Sequence, residues 1–282
     1  MPELRAIAER ARARGLDLSE APTTGPGSAT EIVRRALVTP PDLVAAAGGD
    51  TTVAEVAAAL VGTQLPLALL PTGTTSVIAR EYGVGATLPS AERHLLSTRT
   101  LPLTVFSAAG HPSILGVGIG FDARVMAHVP TLLKKHLGRV GYAWTSTVEW
   151  LAYEFPRLAL EGLDADGRAF RREATFLVAA NTKCYSGNPI LSPFADPEDD
   201  LLEVVLFTSR SRLTLFRFYQ LLSRKKAEQL SLPGVTRFPA RQLTVRSLAG
   251  YEVEVQVDGE GCGVTPVTVG PALGRARVVV PE

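Results

Sequence analysis

Cysteine is scarce in this sequence: Cys184 and Cys262 are the only two in 282 residues. That count excludes a disulfide framework, and neither thiol has metal-ligand spacing. Both read as ordinary thiols of a reducing compartment. The four histidines, His94, His111, His128 and His136, have no ligand spacing either. Also missing is any run of roughly 18 uncharged apolar residues, the length a membrane-spanning helix needs. Residues 1–14 are rich in charge and lack the apolar core of a signal peptide. No excess of one charge exists: 29 basic against 28 acidic side chains leave a net charge of +1. Such a balance supplies no general attraction to nucleic acid. The expectation is a soluble cytoplasmic protein with no nucleic-acid partner. Peripheral contact with a membrane and assembly as a homodimer are left open.

What is present is globular, with apolar residues at 46% and charged residues at 20%, enough for two domains. Over the first hundred residues helix and strand alternate. Leu4, Ile7, Ala8 and Ala11 fall at helical spacing. Leu16–Glu20 reads as a short extended run. Ser28 and Glu31 have the spacing of a capping box ahead of Ile32, Val33, Ala36 and Leu37. Leu43–Ala47 and Leu65–Leu70 read as buried strands, Thr52–Glu55 as a second capping box, and Ser76–Tyr82 as a short helix. Strand, loop and helix in repetition predict a parallel sheet with helices on its faces, with ligands at the carboxyl ends of the strands.

After about residue 100 the pattern turns to short strands: Leu101–Phe106, Ile114–Gly120, Thr175–Ala180, Leu202–Phe207, Leu243–Ser247, Tyr251–Val257 and Val278–Pro281. Glu252, Glu254 and Gln256 alternate with Val253, Val255 and Val257, the signature of a half-buried antiparallel strand. Helical stretches at about 130–160 and 211–230 interrupt the series. The predicted architecture is a three-layer α/β/α nucleotide-binding domain over residues 1–106, then a mostly antiparallel β-sandwich domain over 107–282. The extreme C-terminus is allowed to return to the first domain.

Three loops carry candidate chemistry. Gly48-Gly49-Asp50-Thr51-Thr52 joins a strand to a helix. Its glycines let backbone approach a phosphate, the helix N-terminus favours anions, and Asp50 has the chemistry to reach a magnesium ion. A plain turn capped by Thr52 fits the spacing equally well. Pro71-Thr72-Gly73-Thr74-Thr75-Ser76 is a similar turn, and a structural cap is the simpler reading of it alone. Asp258-Gly259-Glu260 sets two carboxylates on a tight turn, suited to a general base or a metal contact; in isolation a polar hairpin turn is simpler.

The order of these motifs resembles the diacylglycerol kinase catalytic-domain family, which includes bacterial lipid kinases and sphingosine kinases and is related in fold to NAD kinases. Thr23-x-x-x-Gly27-Ser28-Ala29, Gly118-Ile119-Gly120-Phe121-Asp122-Ala123, Gly138-Arg139-x-x-Tyr142 and Pro193-x-Ala195 extend the resemblance from about residue 3 to 281. It implies transfer of the γ-phosphoryl group of ATP to a lipid hydroxyl, with ATP and magnesium bound. By the same resemblance Thr23, Gly48, Gly49, Asp50, Thr52, Gly73 and Thr74 hold ATP. Glu260 takes the position of the proton acceptor, with Asp258 beside it and Asp50 as the third catalytic acid. Asp196, Asp199 and the Leu201 carbonyl match a structural magnesium site. A carboxylate base should sit withdrawn from open surface.

Departures from the family pattern set further expectations. Thr51 stands where the family loop has glycine, and a β-branched residue is costly there if φ is positive. Ser76 and Val77 replace an Asn-Asp pair. Asp196 takes a position that is usually basic or neutral, and Asp200 replaces a glycine. No strand with an Asn-Pro-x-Ser-Gly loop precedes Leu4, which predicts an unpaired strand edge. These departures leave open a catalytically weak or inactive member that binds nucleotide or lipid. A kinase for a soluble alcohol is a third reading. Lys134, Lys135, His136 and Arg139, with Arg224, Lys225 and Lys226, suit either anionic lipid head groups or a solvated helix face. Trp144, Trp150, Tyr153 and Phe155 suit either an acyl pocket or core packing.

Overall fold

A computed structural model describes residues 2–128, 147–184, 189–224 and 226–282. The segment Leu137 to Tyr142, the cations Lys134, Lys135, His136, Arg139 and Lys225, and Trp144 lie outside the described residues. The chain divides into two compact units, Met1–Val105 with Leu273–Glu282, and Phe106–Ala272.

The first unit is α/β. Helix α1 (Pro2–Ala13) buries Ile7, Ala8 and Ala11, the stripe its spacing predicts. Leu16–Glu20 forms no strand. α2 (Ser28–Ala36), β1 (Val44–Gly48), α3 (Asp50–Leu60), β2 (Pro66–Pro71), α4 (Val77–Glu81) and the short α5 (Leu88–Glu92) follow, ahead of β3 (Thr100–Ala108). β1 and β2 pair in parallel from Val44↔Leu67 to Gly48↔Pro71. The end of β13 (Val267–Val279) adds to β2, also in parallel, at Arg277↔Pro66 and Val278↔Leu67. β2 therefore runs centrally and is buried along almost its whole length. β1 is the edge strand, and Ala45 and Ala47 on it are exposed.

The second unit is antiparallel throughout its described pairings. β4 (His111–Ser113), β5 (Gly116–Ile119), α6 (Phe121–His128), β6 (Leu158–Asp164), β7 (Ala169–Ala174), β8 (Phe176–Ala180), β9 (Leu202–Phe207), α7 (Arg212–Leu222), β10 (Val235–Ser247), β11 (Glu254–Val257) and β12 (Glu260–Val264) complete it. Residues 147–152 are helical. β10 pairs with β9 through Ala240 and with β6 from there on, across an irregularity at Ala240/Gln242. Such a bulge lets one strand turn the corner between two sheets.

β8 and β9 are buried on both faces, which explains their unbroken apolar runs. Leu177, Ala179, Val204 and Leu206 enter one core cluster; Phe176, Val178, Val205 and Phe207 enter another. The second cluster is aromatic. Phe176 stacks on Phe207 at 4.8 Å, and Phe121 meets Tyr153 edge-on at 5.2 Å. Pairs of this kind contribute about 0.5–1.5 kcal/mol beyond their burial. Tyr153 and Phe155 are thus core residues.

Candidate active site

In the first unit the two Gly/Thr loops follow adjacent parallel strands, so their backbones lie side by side. The Thr72 N–H donates to the Gly48 carbonyl at 3.1 Å. The approach is close enough that a Cβ on Gly73 would stand 2.8 Å from the Gly49 Cα, and one on Gly48 would stand 2.6 Å from the Thr52 side chain. Only glycine fits at these two positions.

Asp50 locks the pair of loops. Its Oδ1 accepts from the Ile78 N–H at 3.1 Å, and its Oδ2 accepts from the Val77 N–H at 3.1 Å and the Thr75 hydroxyl at 3.3 Å. The carboxylate at the start of α3 therefore caps α4, whose opening N–H groups would otherwise lack acceptors. Ser76, the residue before α4, is left-handed at φ 45° and nearly buried. Asparagine tolerates that conformation better than most residues, which accounts for the amide the family pattern carries there. Val77 is 1% exposed, packed as an apolar residue.

Neither predicted capping box forms: the Thr52/Glu55 pair gives way to contacts far along the chain and the Ser28/Glu31 pair to other local ones. Glu55 reaches back to α2, accepting from the Gly27 N–H at 2.7 Å and the Ala29 N–H at 3.1 Å. Ser28 bonds to Thr24 and Gly25, and Glu31 pairs with Arg35 on its own helix. Thr23 is exposed in the loop ahead of α2. Thr51 is helical and exposed, and it is not among the residues of positive φ. The strain anticipated for a β-branched residue there is absent.

In the second unit the Asp258 turn is built around a buried carboxylate. Its Oδ1 accepts from the Ser113 hydroxyl at 2.8 Å and from the Leu115 and Gly116 N–H groups at 2.9 Å each. Its Oδ2 accepts from the Ile114 N–H at 2.8 Å. Burial pushes this carboxyl upward, while the four donors pull against that shift. Three of the four are backbone N–H groups, which only donate, so the ionised form is the one the nest accommodates. Asp258 is also left-handed, at φ 50°.

Gln256 ties the next residue of the turn to α6. Its Oε1 accepts from the Gly259 N–H at 2.7 Å and its Nε2 donates to Asp122 Oδ2 at 2.9 Å. Burial pushes the Asp122 carboxyl up to about 7. Gly118 is required beneath them, because a Cβ there would stand 2.2 Å from Asp122 Oδ2. Gln256 was expected on the polar face of a half-buried strand; it is 4% exposed, spending its amide on this bridge. Glu260 opens β12 opposite Val257 and is exposed, against the expectation of a base withdrawn from open surface, because it is the outer corner of the tight turn.

Asp196, Asp199 and Leu201 share one turn. Asp196 Oδ1 accepts from the Glu198 N–H at 3.0 Å and Asp199 Oδ1 from the Leu201 N–H at 2.9 Å. Among the described residues no group of three or more His, Cys, Asp or Glu side chains is set to hold a metal.

These loops and turns coincide with known domain families. The diacylglycerol kinase catalytic domain matches residues 2–108, and the YegS C-terminal NAD kinase beta sandwich-like domain matches residues 116–282. The chain belongs to the diacylglycerol kinase catalytic-domain family. Two similar proteins span nearly all of it. A "Probable lipid kinase YegS-like" of Pseudomonas fluorescens is 28% identical over 99% of this chain and 91% of its own length. A "Diacylglycerol kinase" of Mycobacterium tuberculosis is 26% identical over 97% and 88%. The fold is shared with a crystal structure of a diacylglycerol kinase from Bacillus anthracis, at TM-score 0.66 and 19% identity over 100% of this chain and 89% of that one.

Within this family member, the motifs read from the sequence include Gly48, Gly49, Asp50, Gly73 and Asp258, which shape these loops. The same reading takes Glu55 as half of a capping box, Gln256 as a polar strand position and Asp122 as part of a glycine-rich segment, and gives none of the three a role in a site. The one signal for the last two was in view: Asp122 follows Gly118-x-Gly120, and glycines packed that densely mark a place where side chains cross close to backbone.

Proposed function

We propose that this protein transfers the γ-phosphoryl group of ATP to the hydroxyl of a lipid, with magnesium bound. The observation that carries the reading is the close seating of Gly49 on Gly73, which leaves two loop backbones bare beside the N-terminus of α3. Bare N–H groups at a helix start are a general device for holding phosphate. Thr23, Gly48, Gly49, Thr52, Gly73 and Thr74 are assigned to ATP. Asp50 is assigned to shaping that surface, since both of its oxygens already accept hydrogen bonds.

Phosphoryl transfer needs positioning, charge neutralisation and a group to take the hydroxyl proton. Glu260 is assigned as that proton acceptor: as the lipid oxygen bonds to phosphorus, its proton passes to the carboxylate and ADP leaves. Asp258, held by four donors, is assigned to fixing the turn that presents Glu260. Asp196, Asp199 and the Leu201 carbonyl supply hard oxygen donors on one turn, a set that suits magnesium. The ion would neutralise charge and stiffen its loop when bound.

The test is transfer of label from γ-labelled ATP to diacylglycerol in mixed micelles, with and without a chelator. Magnesium-dependent formation of phosphatidic acid is expected. Label appearing only on a soluble alcohol, or on no member of a lipid and alcohol panel, would overturn the reading. A weak or inactive member that binds nucleotide is the second reading, favoured by one observation: Val77 is buried and offers no carboxylate where the family pattern has one. Nucleotide-induced thermal stabilisation without turnover would select it.

A further inference from the structure

The second unit carries an apolar surface that its own folding does not use. Helix α7 turns Leu215, Phe218 and Leu222 into the aromatic core. On its other side Leu213 and Phe216 remain 64% and 52% exposed. Beside it, residues 147–152 expose Val148 and Leu151 at 45% and 59%. Each pair is spaced i, i+3, so each lies on one helical face. Trp150 fixes the helices together: its indole N–H donates to the Arg212 carbonyl at 2.8 Å, and its ring lies 5.9 Å from that of Phe216. Trp150 thus sets residues 147–152 beside the start of α7, so four large exposed apolar side chains lie on two adjoining helical segments.

The charge along α7 and its flanks is one-sided. No Asp or Glu occurs between Glu203 and Glu228, whereas Arg210, Arg212, Arg217, Arg224, Lys225 and Lys226 all fall there. The whole chain is nearly balanced, with 29 basic and 28 acidic side chains, so this stretch departs sharply from the average. Arg210, Arg212 and Arg217 are exposed.

We infer that the outer faces of α7 and residues 147–152 dock on an anionic lipid bilayer. Leu213, Phe216, Val148 and Leu151 would enter the interface while the arginines meet lipid phosphates. Apolar side chains rimmed by cations are the combination that holds a helix in the interfacial plane. A second copy of this chain fits less well. It would bring like charges together across a two-fold axis, and four side chains fall short of the roughly 800 Å² per partner that a stable interface buries. This inference goes beyond the kinase reading, because binding is measured without turnover and stands or falls separately from it.

The experiment is co-sedimentation of the full chain with vesicles of phosphatidylcholine alone and of phosphatidylcholine mixed with phosphatidylglycerol. Binding is expected only to the mixed vesicles, and weaker at high salt. The double variant Leu213→Ser/Phe216→Ser should lose at least tenfold in affinity. Arg210→Gln and Arg217→Gln should each lose about fivefold, the value of one cation near an anionic surface. All of these positions are exposed, so unfolding midpoints should match the parent in the arginine variants and fall only slightly in the double variant, which loses the Phe216 ring contact with Trp150; a cooperative transition shows that each variant folds. Equal affinity for both vesicle types, or undiminished binding by the double variant, would overturn the inference. So would a parent that is dimeric in solution and becomes monomeric in the double variant, which would give the patch to a second copy.

Discussion

The amide nitrogen of Gln256 donates to the carboxylate of Asp122 at 2.9 Å, with both side chains almost wholly buried. The amide oxygen is taken by the Gly259 N–H, which fixes which end of the amide faces Asp122. A buried acid so placed is costly to ionise.

That cost sets a pH dependence. Burial raises Asp122 from an ordinary 3.8 to about 7, so the native state holds a proton that the unfolded chain gives up near pH 4. Its contribution is therefore most favourable below pH 4 and is lost as pH rises through about 7. A shift of roughly three units corresponds to about 4 kcal/mol as an upper figure. Asp122→Asn keeps an acceptor for Gln256 and carries no charge. Unfolding midpoints measured from pH 5 to 9 should fall with rising pH more steeply in the parent than in the variant, and the variant should be the more stable of the two at pH 8. Parallel curves would show that Asp122 is ionised throughout.

Asp258 differs in its partners: burial raises this carboxyl too, but four donors favour its charged form. Replacing it with asparagine sets an amide NH2 against at least one N–H donor of residues 114–116. An unsatisfied buried donor costs about 1–3 kcal/mol, and a charge-assisted bond is lost as well. Asp258→Asn should lower stability by about 2–4 kcal/mol in urea unfolding, and Asp258→Ala by more, because four donors are then orphaned. A variant as stable as the parent would show that the turn is held by its backbone alone.

Gly73 tests the phosphate loops. Gly73→Ala places a Cβ against the Gly49 backbone, where no flexible side-chain end can yield. The loops must part, at about 1–3 kcal/mol for a forced overpacking. The expected result is a raised KM for ATP with a lowered melting temperature. Gly25→Ala is the matched control, since a Cβ there meets nothing within 4 Å. If both variants behave as the parent, the close seating of the loops does not matter for nucleotide.

These predictions rest on contacts of unequal visibility. Strand and helix periods were legible because burial follows them: β1, β2, β8 and β9 lie where apolar runs placed them. β7 escaped because most of it is exposed and charged, with Arg171, Arg172 and Glu173 in a row; β6 buries Leu158 and Leu160, but its first residues fall at the end of the stretch read as helix to about 160. The capping boxes failed for a different reason. Thr52 and Glu55 have the right spacing, but Glu55 finds donors 26 to 28 residues away, and spacing along a helix says nothing of such partners. The same blindness hid the Gln256 bridge across 134 residues.

The turn at 258–260 holds two neighbouring carboxylates in different surroundings. Asp258 is partly exposed as a residue, but its carboxylate is held inward by four donors; Glu260 is exposed at the start of β12. If Glu260 takes the hydroxyl proton, Glu260→Gln removes that step and leaves the nest untouched. Loss of a positioned general base costs roughly 10²–10⁴-fold in rate. The variant should therefore lose at least a hundredfold in kcat on the lipid, with its KM for ATP and its unfolding midpoint unchanged. Asp258→Asn should move the midpoint and kcat together. A Glu260→Gln protein with full kcat would shift the proton acceptor to another residue, and one that is inactive but also destabilised would make Glu260 a structural group like its neighbour.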